Sequence, residues 1–210
     1  AYILNDGLWG ANNANITSFS PQYQIDNPND LYQAMNGTNM GDVANAMMEE
    51  DAGKIAHYLK KLEAYSEFAD DEDSKAFIHY ANLHYLNTYQ KMYMEADSLY
   101  HKFSLDKINT KLFTPYFQLE RAKTLYGLGR VFEALKIFDE VKIPDIVHHP
   151  IDLSIFYEKD AYIALCYLEL NQVKKAVNAV NVAINNVEKM PDTPYKVFIY
   201  TTYEQVMIRS

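Results

Sequence analysis

Histidine is the first residue type to consider for chemistry in this sequence, because imidazole serves in metal sites and in proton transfer. The chain has six histidines. His148 and His149 are adjacent, with Asp145 and Asp152 nearby. Adjacent side chains do not point the same way on a helix, and no third ligand stands at a defined spacing. The pattern therefore favours a solvated loop over a metal site.

The other histidines do not form a site either. His79 and His84 are five residues apart on one predicted helix, whereas two side chains on one face would stand three or four apart. His57 and His101 lie alone on amphipathic helices, which is typical of interface or surface residues. We therefore predict no metal site.

Nucleophile and phosphate motifs are also missing from the sequence. Cys166 is the single cysteine, which excludes an internal disulfide and a cysteine-based zinc site, and its neighbours predict a small buried side chain. There is no glycine-rich phosphate loop, nucleophile elbow or H-E-x-x-H helix. The acidic runs at 49–51 and 70–73 lack the central glycine of a calcium loop. We expect a protein that is not an enzyme and that uses no cofactor.

Composition predicts a soluble helical protein. Hydrophobic residues make up 49% of the chain, and only seven glycines and seven prolines occur, which argues against a loop-rich β fold. A formal charge of −9 repels phosphate backbones, so we expect no direct nucleic-acid binding. No apolar run approaches the roughly 20 residues of a membrane helix, and no signal peptide opens the chain. These features predict a cytoplasmic location and no membrane partner.

Two segments differ in composition. Residues 1–45 hold nine of the seventeen asparagines and four of the seven glycines, and they predict an irregular segment with one short helix at 29–36. Residues 46–210 predict a helical-repeat domain. The predicted helices span 42–49, 51–68, 74–90, 92–104, 115–128, 130–142, 152–170, 172–189 and 194–208. Connections this short pack consecutive helices as antiparallel pairs.

An internal repeat is the most informative feature. The stretch 116–141 aligns with 158–183 at a spacing of 42 residues, and a weaker copy contains Ala96. Small residues at matched positions let two helices approach closely, and large residues three or four places away fill the seam to the next pair. The matched pairs are Ala122 with Ala164, Gly129 with Asn171, Ala134 with Ala176, and Phe138 with Val180.

This pattern resembles the tetratricopeptide repeat over roughly residues 75–190. A small residue lies in the middle of the first helix, a Tyr lies near its end, and the second helix resembles the family's pattern Ala-x-x-x-Phe-x-x-Ala. The spacing exceeds that of the family, and the usual Trp and closing Pro are absent. The resemblance implies an all-α fold in which antiparallel helical pairs stack as a right-handed solenoid, and it implies a binding surface rather than a reaction.

On the tetratricopeptide register, the first helices of the pairs line a concave groove that suits an extended peptide or a partner helix. Glu158 and Glu169 could meet a basic ligand group, and Lys123 could meet a carboxylate. The alternative is that some tyrosines among the candidates pack only against neighbouring helices or a capping helix. The candidate peptide-binding residues are Tyr85, Tyr89, Tyr116, Lys123, Tyr126, Glu158, Leu165 and Glu169.

A second candidate for peptide binding is an asparagine stripe. Asn178, Asn181 and Asn185 stand three and four residues apart, so they share one helix face, and their amides could hold an extended backbone. They belong to the second helix of a pair, which points towards the convex side. The register therefore favours a polar solvent face.

The opening residues 1–6 (Ala-Tyr-Ile-Leu-Asn-Asp) are similar to the stretch that follows the helix-turn-helix domain in Rgg/MutR-type regulators of Gram-positive bacteria. Those proteins and the PlcR-type regulators carry a tetratricopeptide-like domain that binds a short signalling peptide and dimerises. The resemblance implies a peptide receptor, with a DNA-binding domain before Ala1.

The aromatic segment 195–203 adds a self-association surface, so we expect a homodimer. Two alternatives stay open: a scaffold without switching, and an exported repeat protein whose signal has been removed.

Overall fold

Helices dominate the part of the chain that the structure describes, as the sequence predicts. The computed structural model describes residues 2–4, 16–18, 43, 46, 51–66, 72–108, 113–142, 150–189 and 195–210. The all-α class is confirmed, although one short strand pair is also present. The chain forms two compact units, Ala1–Ala81 and Asn82–Ser210, so the predicted boundary at 45/46 falls inside the first unit.

Among its described residues, the first unit contains the strand pair and one complete helix. β1 (Tyr2–Leu4) pairs antiparallel with β2 (Ile16–Ser18). Helix α1 spans Ala52–Ser66, and Asp51 caps it by accepting a 2.9 Å hydrogen bond from the backbone N–H of Lys54. The face of α1 that is buried has residues spaced four and three apart: Ile55, Leu59 and Leu62.

The second unit is built from consecutive helices. It begins at Asn82, in the last turn of the helix Glu72–His84 (α2). Thr114-Pro115 and Pro150 open two of these helices, as expected for a residue without a backbone N–H. The helices are α2 (Glu72–His84), a π-helical turn (Tyr85–Gln90), α3 (Tyr93–Lys102), a 3₁₀ turn (Leu105–Lys107), α4 (Thr114–Gly127), α5 (Val131–Glu140), α6 (Pro150–Glu169), α7 (Val173–Val187) and α8 (Tyr195–Ile208).

Most predicted helices from residue 51 onward are confirmed, with ends that agree within a few residues. The prediction at 74–90 is confirmed only in part, because the helix changes to π geometry at Tyr85. The segment 29–36 lies outside the described residues. Within the predicted helix 42–49, the structure describes Val43 and Ala46, which are both helical and buried. The strand pair was not predicted.

Consecutive helices of the second unit pack against each other in a regular order. α4 packs on α5, and α6 packs on α7. Each second helix also contacts the next first helix, because α5 packs on α6 and α7 packs on α8. The first helices meet one another as well, α4 with α6 and α6 with α8. Buried alanines at the helix crossings, with 0% exposure, allow this close approach: Ala122, Ala134, Ala164 and Ala176.

Three turns of the second unit have the same geometry. Lys91, Gly129 and Asn171 adopt left-handed backbone angles, with φ between 54° and 75°. Each stands five residues before a fully buried alanine of the next helix, the last of them Ala176. Each turn is closed by a backbone hydrogen bond from the next residue to the preceding helix, at 3.0, 2.9 and 2.8 Å. The structure therefore shows three copies of one turn.

The first copy differs from the other two by one inserted residue. The closing bond spans five residues in the second and third copies, Arg130 to Leu125 and Gln172 to Tyr167, but six in the first, Met92 to Leu86. The extra residue is accommodated by the π-helical turn. It changes the direction of the side chains that follow His84.

Charge is divided unequally between the two units. Residues 1–81 contain thirteen acidic and four basic residues, which accounts for the whole net charge of −9. Residues 82–210 contain fifteen of each sign. The helical-repeat unit is therefore neutral overall.

Gly127, at the end of α4, supports a testable prediction because the ring of Tyr93 lies directly against its Cα, where a Cβ would stand. We expect Gly127→Ala to lower the free energy of unfolding by about 1–3 kcal/mol through this clash, measured by urea denaturation. Gly53→Ala is the matched control, since its Cβ would meet only the flexible Asp51 carboxylate at 3.3 Å. Equal effects of the two substitutions would contradict the prediction.

Candidate functional site

The predicted groove residues divide into a buried group and an accessible group. Tyr116, Lys123, Glu158 and Leu165 are buried, with exposures of 5%, 1%, 4% and 9%. Tyr85, Tyr89 and Tyr126 are half-buried, and Glu169 is exposed. In this conformation a ligand can reach the second group, whereas the first group is closed off.

Lys123 is the centre of the buried group. Its Nζ atom donates to Glu158 Oε2 at 2.7 Å and to Glu120 Oε1 at 3.1 Å. Glu120 is one turn earlier on α4, while Glu158 comes from α6. The ammonium also lies 5.7 Å from the centre of the Tyr162 ring. One cation thus joins two helices through two carboxylates.

Glu120 is held by a second set of bonds from the helix before it. His84 Nδ1 lies 2.8 Å from Glu120 Oε1. Asn87, in the π-helical turn, donates from Nδ2 to Glu120 Oε2 at 3.0 Å and to the backbone carbonyl of Glu120 at the same distance. Thr124 donates to Asn87 Oδ1 at 3.1 Å or to that carbonyl at 2.9 Å. We name the six residues His84, Asn87, Glu120, Lys123, Thr124 and Glu158 the ionic cluster.

Aromatic rings line the ionic cluster. Tyr195, the first residue of α8, is 3% exposed, and its ring centre lies 6.4 Å from that of His84. The Tyr116 ring packs on Phe156 at 4.9 Å, which provides an apolar contact between α4 and α6 beside the Lys123–Glu158 bond. Burial and the nearby Glu158 and Glu120 carboxylates raise the pKa of Tyr195 well above its ordinary value. The hydroxyl therefore stays neutral.

Glu120 and Lys123 stay charged despite their burial. Burial alone raises the pKa of Glu120, but the charges of Lys123 and His84 and the hydrogen bonds outweigh it and bring this pKa down to about 2. Burial likewise disfavours the ammonium form of Lys123, yet Glu120 and Glu158 hold its pKa above the ordinary value. The two carboxylates exceed the one ammonium by a single negative charge.

The accessible group is centred on Tyr126. Its ring meets Tyr162 edge to face at 5.6 Å. Burial, together with Glu169 and the neighbouring Cys166 and Tyr93, raises the pKa of Tyr126 to about 12, while Arg209 acts in the opposite direction. The exposed ends of α6 and α8 therefore bring Glu169 and Arg209 near this tyrosine. We name Tyr93, Tyr126, Glu169 and Arg209 the tyrosine rim.

The π-helical turn carries a second pair of half-buried tyrosines. Tyr85 and Tyr89 stack with ring centres 6.2 Å apart, and Gln90 donates to the Tyr85 hydroxyl at 2.9 Å. Tyr89 also lies 5.8 Å from His84. The same turn thus presents rings on one side and supplies Asn87 to the ionic cluster on the other.

The asparagine stripe lies on the exposed side of α7. Asn178, Asn181 and Asn185 are all solvent-exposed and alternate with the buried Val180 and Ala183. This placement fits a polar solvent face, and it leaves the amides open to a ligand.

Metal-binding geometry is absent from the described part of the chain, since no three His, Cys, Asp or Glu side chains are grouped there as ligands. His148 and His149 lie outside the described residues. Cys166 is buried, and burial raises the pKa of its thiol to about 12, so it is a poor nucleophile. No helix among the described residues combines the length and apolarity needed to cross a membrane.

Sequence reasoning missed four members of the ionic cluster: His84, Asn87, Glu120 and Thr124. His84 and Asn87 stand 36 and 33 residues before Glu120, and no helical spacing connects them. One signal was present. Glu120 and Lys123 form an i, i+3 pair on a helix flanked by Phe117, Leu119 and Leu125, and charges inside such an apolar stretch indicate a buried pair.

Comparison with known proteins identifies no relative: no protein-family model, curated protein or solved structure matches the chain.

Removing the buried ammonium tests the cluster. We expect Lys123→Met to lower the free energy of unfolding by about 3–5 kcal/mol, because it leaves two buried carboxylates without their cation. Lys136→Met is the matched control on the exposed side of α5, where about 0.5 kcal/mol or less is expected. Urea denaturation measures both, and similar losses would show that Lys123 is not the stabilising centre.

The acid side of the stability profile gives a second test. Because the folded-state pKa of Glu120 lies below its ordinary value of 4.5, its contribution is present above about pH 4.5 and is lost as pH falls towards 2. We expect Glu120→Gln to lower stability at pH 7 and to flatten its dependence between these values. Glu140→Gln, an exposed control, should keep the wild-type slope. An unchanged slope in Glu120→Gln would contradict the assignment.

Proposed function

We propose that residues 82–210 form a tetratricopeptide-like solenoid that binds a short peptide or protein segment, and that this domain is the ligand-binding and dimerising part of a bacterial transcription regulator. The observation that carries the proposal is the threefold turn geometry at Lys91, Gly129 and Asn171, each before a buried alanine. Stacked helical repeats of this kind present a continuous concave face built from their first helices.

The first helices α4, α6 and α8 support such a face because they contact one another in order. The tyrosine rim stands at their exposed ends and combines aromatic area with one carboxylate and one guanidinium. Tyrosine supplies large, rigid contact area with a polar tip, which is typical of peptide-binding surfaces. The regulatory role rests on the sequence resemblance, and the peptide-binding role rests on this surface.

Peptide binding is tested at Tyr126. We expect short random peptides selected on the wild-type chain to bind Tyr126→Ala at least about tenfold more weakly. Because the Tyr126 ring also packs on Tyr162, the variant should lose about 1–3 kcal/mol of stability as well.

The matched control is Tyr167→Ala, on the same helix that carries Glu169. Tyr167 is half-buried against the apolar cluster of α6, α7 and α8, so a similar loss of stability is expected without a loss of affinity. Equal affinities of the two variants would contradict a ligand site at the rim. A change in radius on peptide addition supports a switching receptor, and binding without such a change supports the scaffold alternative.

Dimerisation is proposed through the exposed face of α8. Val197, Tyr200 and Ile208 are 62%, 43% and 86% exposed and share that face, opposite the buried Ile199 and Val206. The charged residues on either side of this face favour packing against an antiparallel copy of α8. Lys196 and Glu204 stand four residues to either side of Tyr200, so a twofold axis there brings each beside its opposite charge.

Tyr200→Glu is expected to dissociate the dimer, because it places like charges at the axis of the twofold interface. Phe132→Glu is the matched control, since Phe132 is 73% exposed but lies on α5. Sedimentation velocity measures the oligomeric state of the wild type and both variants. A monomeric wild type, or loss of the dimer in both variants, would contradict an interface on α8.

A further inference from the structure

The two carboxylates that contact Lys123 are held very differently. Glu120 accepts hydrogen bonds from His84, Asn87 and Lys123, and its own helix fixes its distance from the ammonium. Glu158 comes from another helix, and among the described residues its carboxylate bonds to Lys123 alone. Glu120 is thus a built-in partner of the ammonium, whereas Glu158 leaves only when α6 shifts and gives up contacts with α4 such as Tyr116–Phe156.

The charge of the cluster points to the same distinction. Glu120 and Lys123 neutralise each other, so Glu158 adds a carboxylate that the pair does not require. Buried like charges repel strongly in a low-dielectric environment. One carboxylate, Glu120, therefore suffices to neutralise Lys123, and the second acceptor position on Lys123 is occupied by a carboxylate from another helix.

We propose that Glu158 blocks a carboxylate-binding site on Lys123, and that a carboxylate of the ligand takes its place when α6 moves away from α4. This inference rests on the proposed peptide-binding function and adds the ligand's chemical class. The exchange is between two carboxylates, so the charge of the cluster is unchanged. Glu158 then passes to solvent, where a carboxylate needs no protein partner.

The surroundings of Lys123 indicate what accompanies the carboxylate. The Tyr162 ring lies next to the ammonium, with its centre 5.7 Å from Lys123 Nζ, and offers an aromatic face. A ligand with a carboxylate next to an apolar group fits this environment. A ligand shifts a conformational equilibrium only by binding one state better than the other. The state that the ligand binds better must therefore be the one in which α6 has moved and Lys123 is exposed.

Chemical rescue tests the site with acetate as the probe. Glu158→Ala empties the position, so acetate should bind Lys123 and raise the melting temperature by about 3 °C once its concentration exceeds Kd tenfold. Sodium chloride at equal ionic strength gives the reference. The wild-type chain should show no such rise because Glu158 fills the position.

Two controls make the result specific to Lys123. The double variant Lys123→Met/Glu158→Ala lacks the ammonium, so acetate should not stabilise it. Glu133→Ala removes the partner of an exposed cation, Arg130, whose bonds to Glu133 are 2.7 and 2.6 Å, and it should not respond either. Equal acetate effects in the single and double variants would overturn the proposal.

A smaller substitution keeps the test valid if Glu158→Ala does not fold. Glu158→Asp shortens the side chain by one methylene, and formate then fits the gap beside Lys123. Nuclear magnetic resonance of the Lys123 ammonium should show a shift on formate titration. No response in any folded variant overturns the proposal, while peptide binding at the tyrosine rim is measured separately and stands or falls independently.

The source of the carboxylate is distinguished by two further probes. N-acetylalanine carries a chain-terminal carboxylate, and the α-amide of N-acetylaspartate carries only a side-chain carboxylate. Tighter binding of the first to Glu158→Ala assigns a peptide C-terminus, and tighter binding of the second assigns an acidic side chain. If neither binds more tightly than uncharged N-acetylalanine amide, the extension to peptides is overturned.

Discussion

Burying the ammonium group of Lys123 costs several kcal/mol unless carboxylates and hydrogen bonds replace the water it loses. That requirement fixes the positions of three helical segments at once. Glu120 supplies a carboxylate from the same helix, Glu158 supplies one from α6, and the π-helical turn supplies Asn87 to hold Glu120. The packing of the first helices is therefore constrained by direction and distance, whereas apolar contacts alone would permit them to slide.

The ionic cluster lies where the first of the three similar turns departs from the other two. The second and third turns close over five residues, as equivalent units of a repeat do. The first closes over six, and the added residue lies in the segment that carries His84 and Asn87. Local π geometry is frequent at functional sites because it redirects side chains without breaking the helix. Here it turns Asn87 onto the buried Glu120 carboxylate, which His84 reaches from the end of α2.

Helix periodicity and turn residues predict most of this fold, because both depend on local spacing. Gly129, Asn171 and the matched alanines locate the turns within a residue or two. The ionic cluster could not be predicted in the same way. Most of its bonds join residues more than thirty positions apart. The inserted residue of the π-helical turn also shifts which helix face the residues after it occupy. The sequence predicted Lys123 and Glu158 as residues that line a groove, whereas the structure buries them and bonds them to each other.

The division of charge has a consequence for how the two units respond to salt. With fifteen residues of each sign, the second unit has no net charge and exerts no net attraction or repulsion on a distant ion. The first unit carries nine excess negative charges, so it attracts cations over the Debye length, about 8 Å at physiological salt. Added salt therefore weakens the net electrostatic attraction of the first unit and has little net charge to screen in the second.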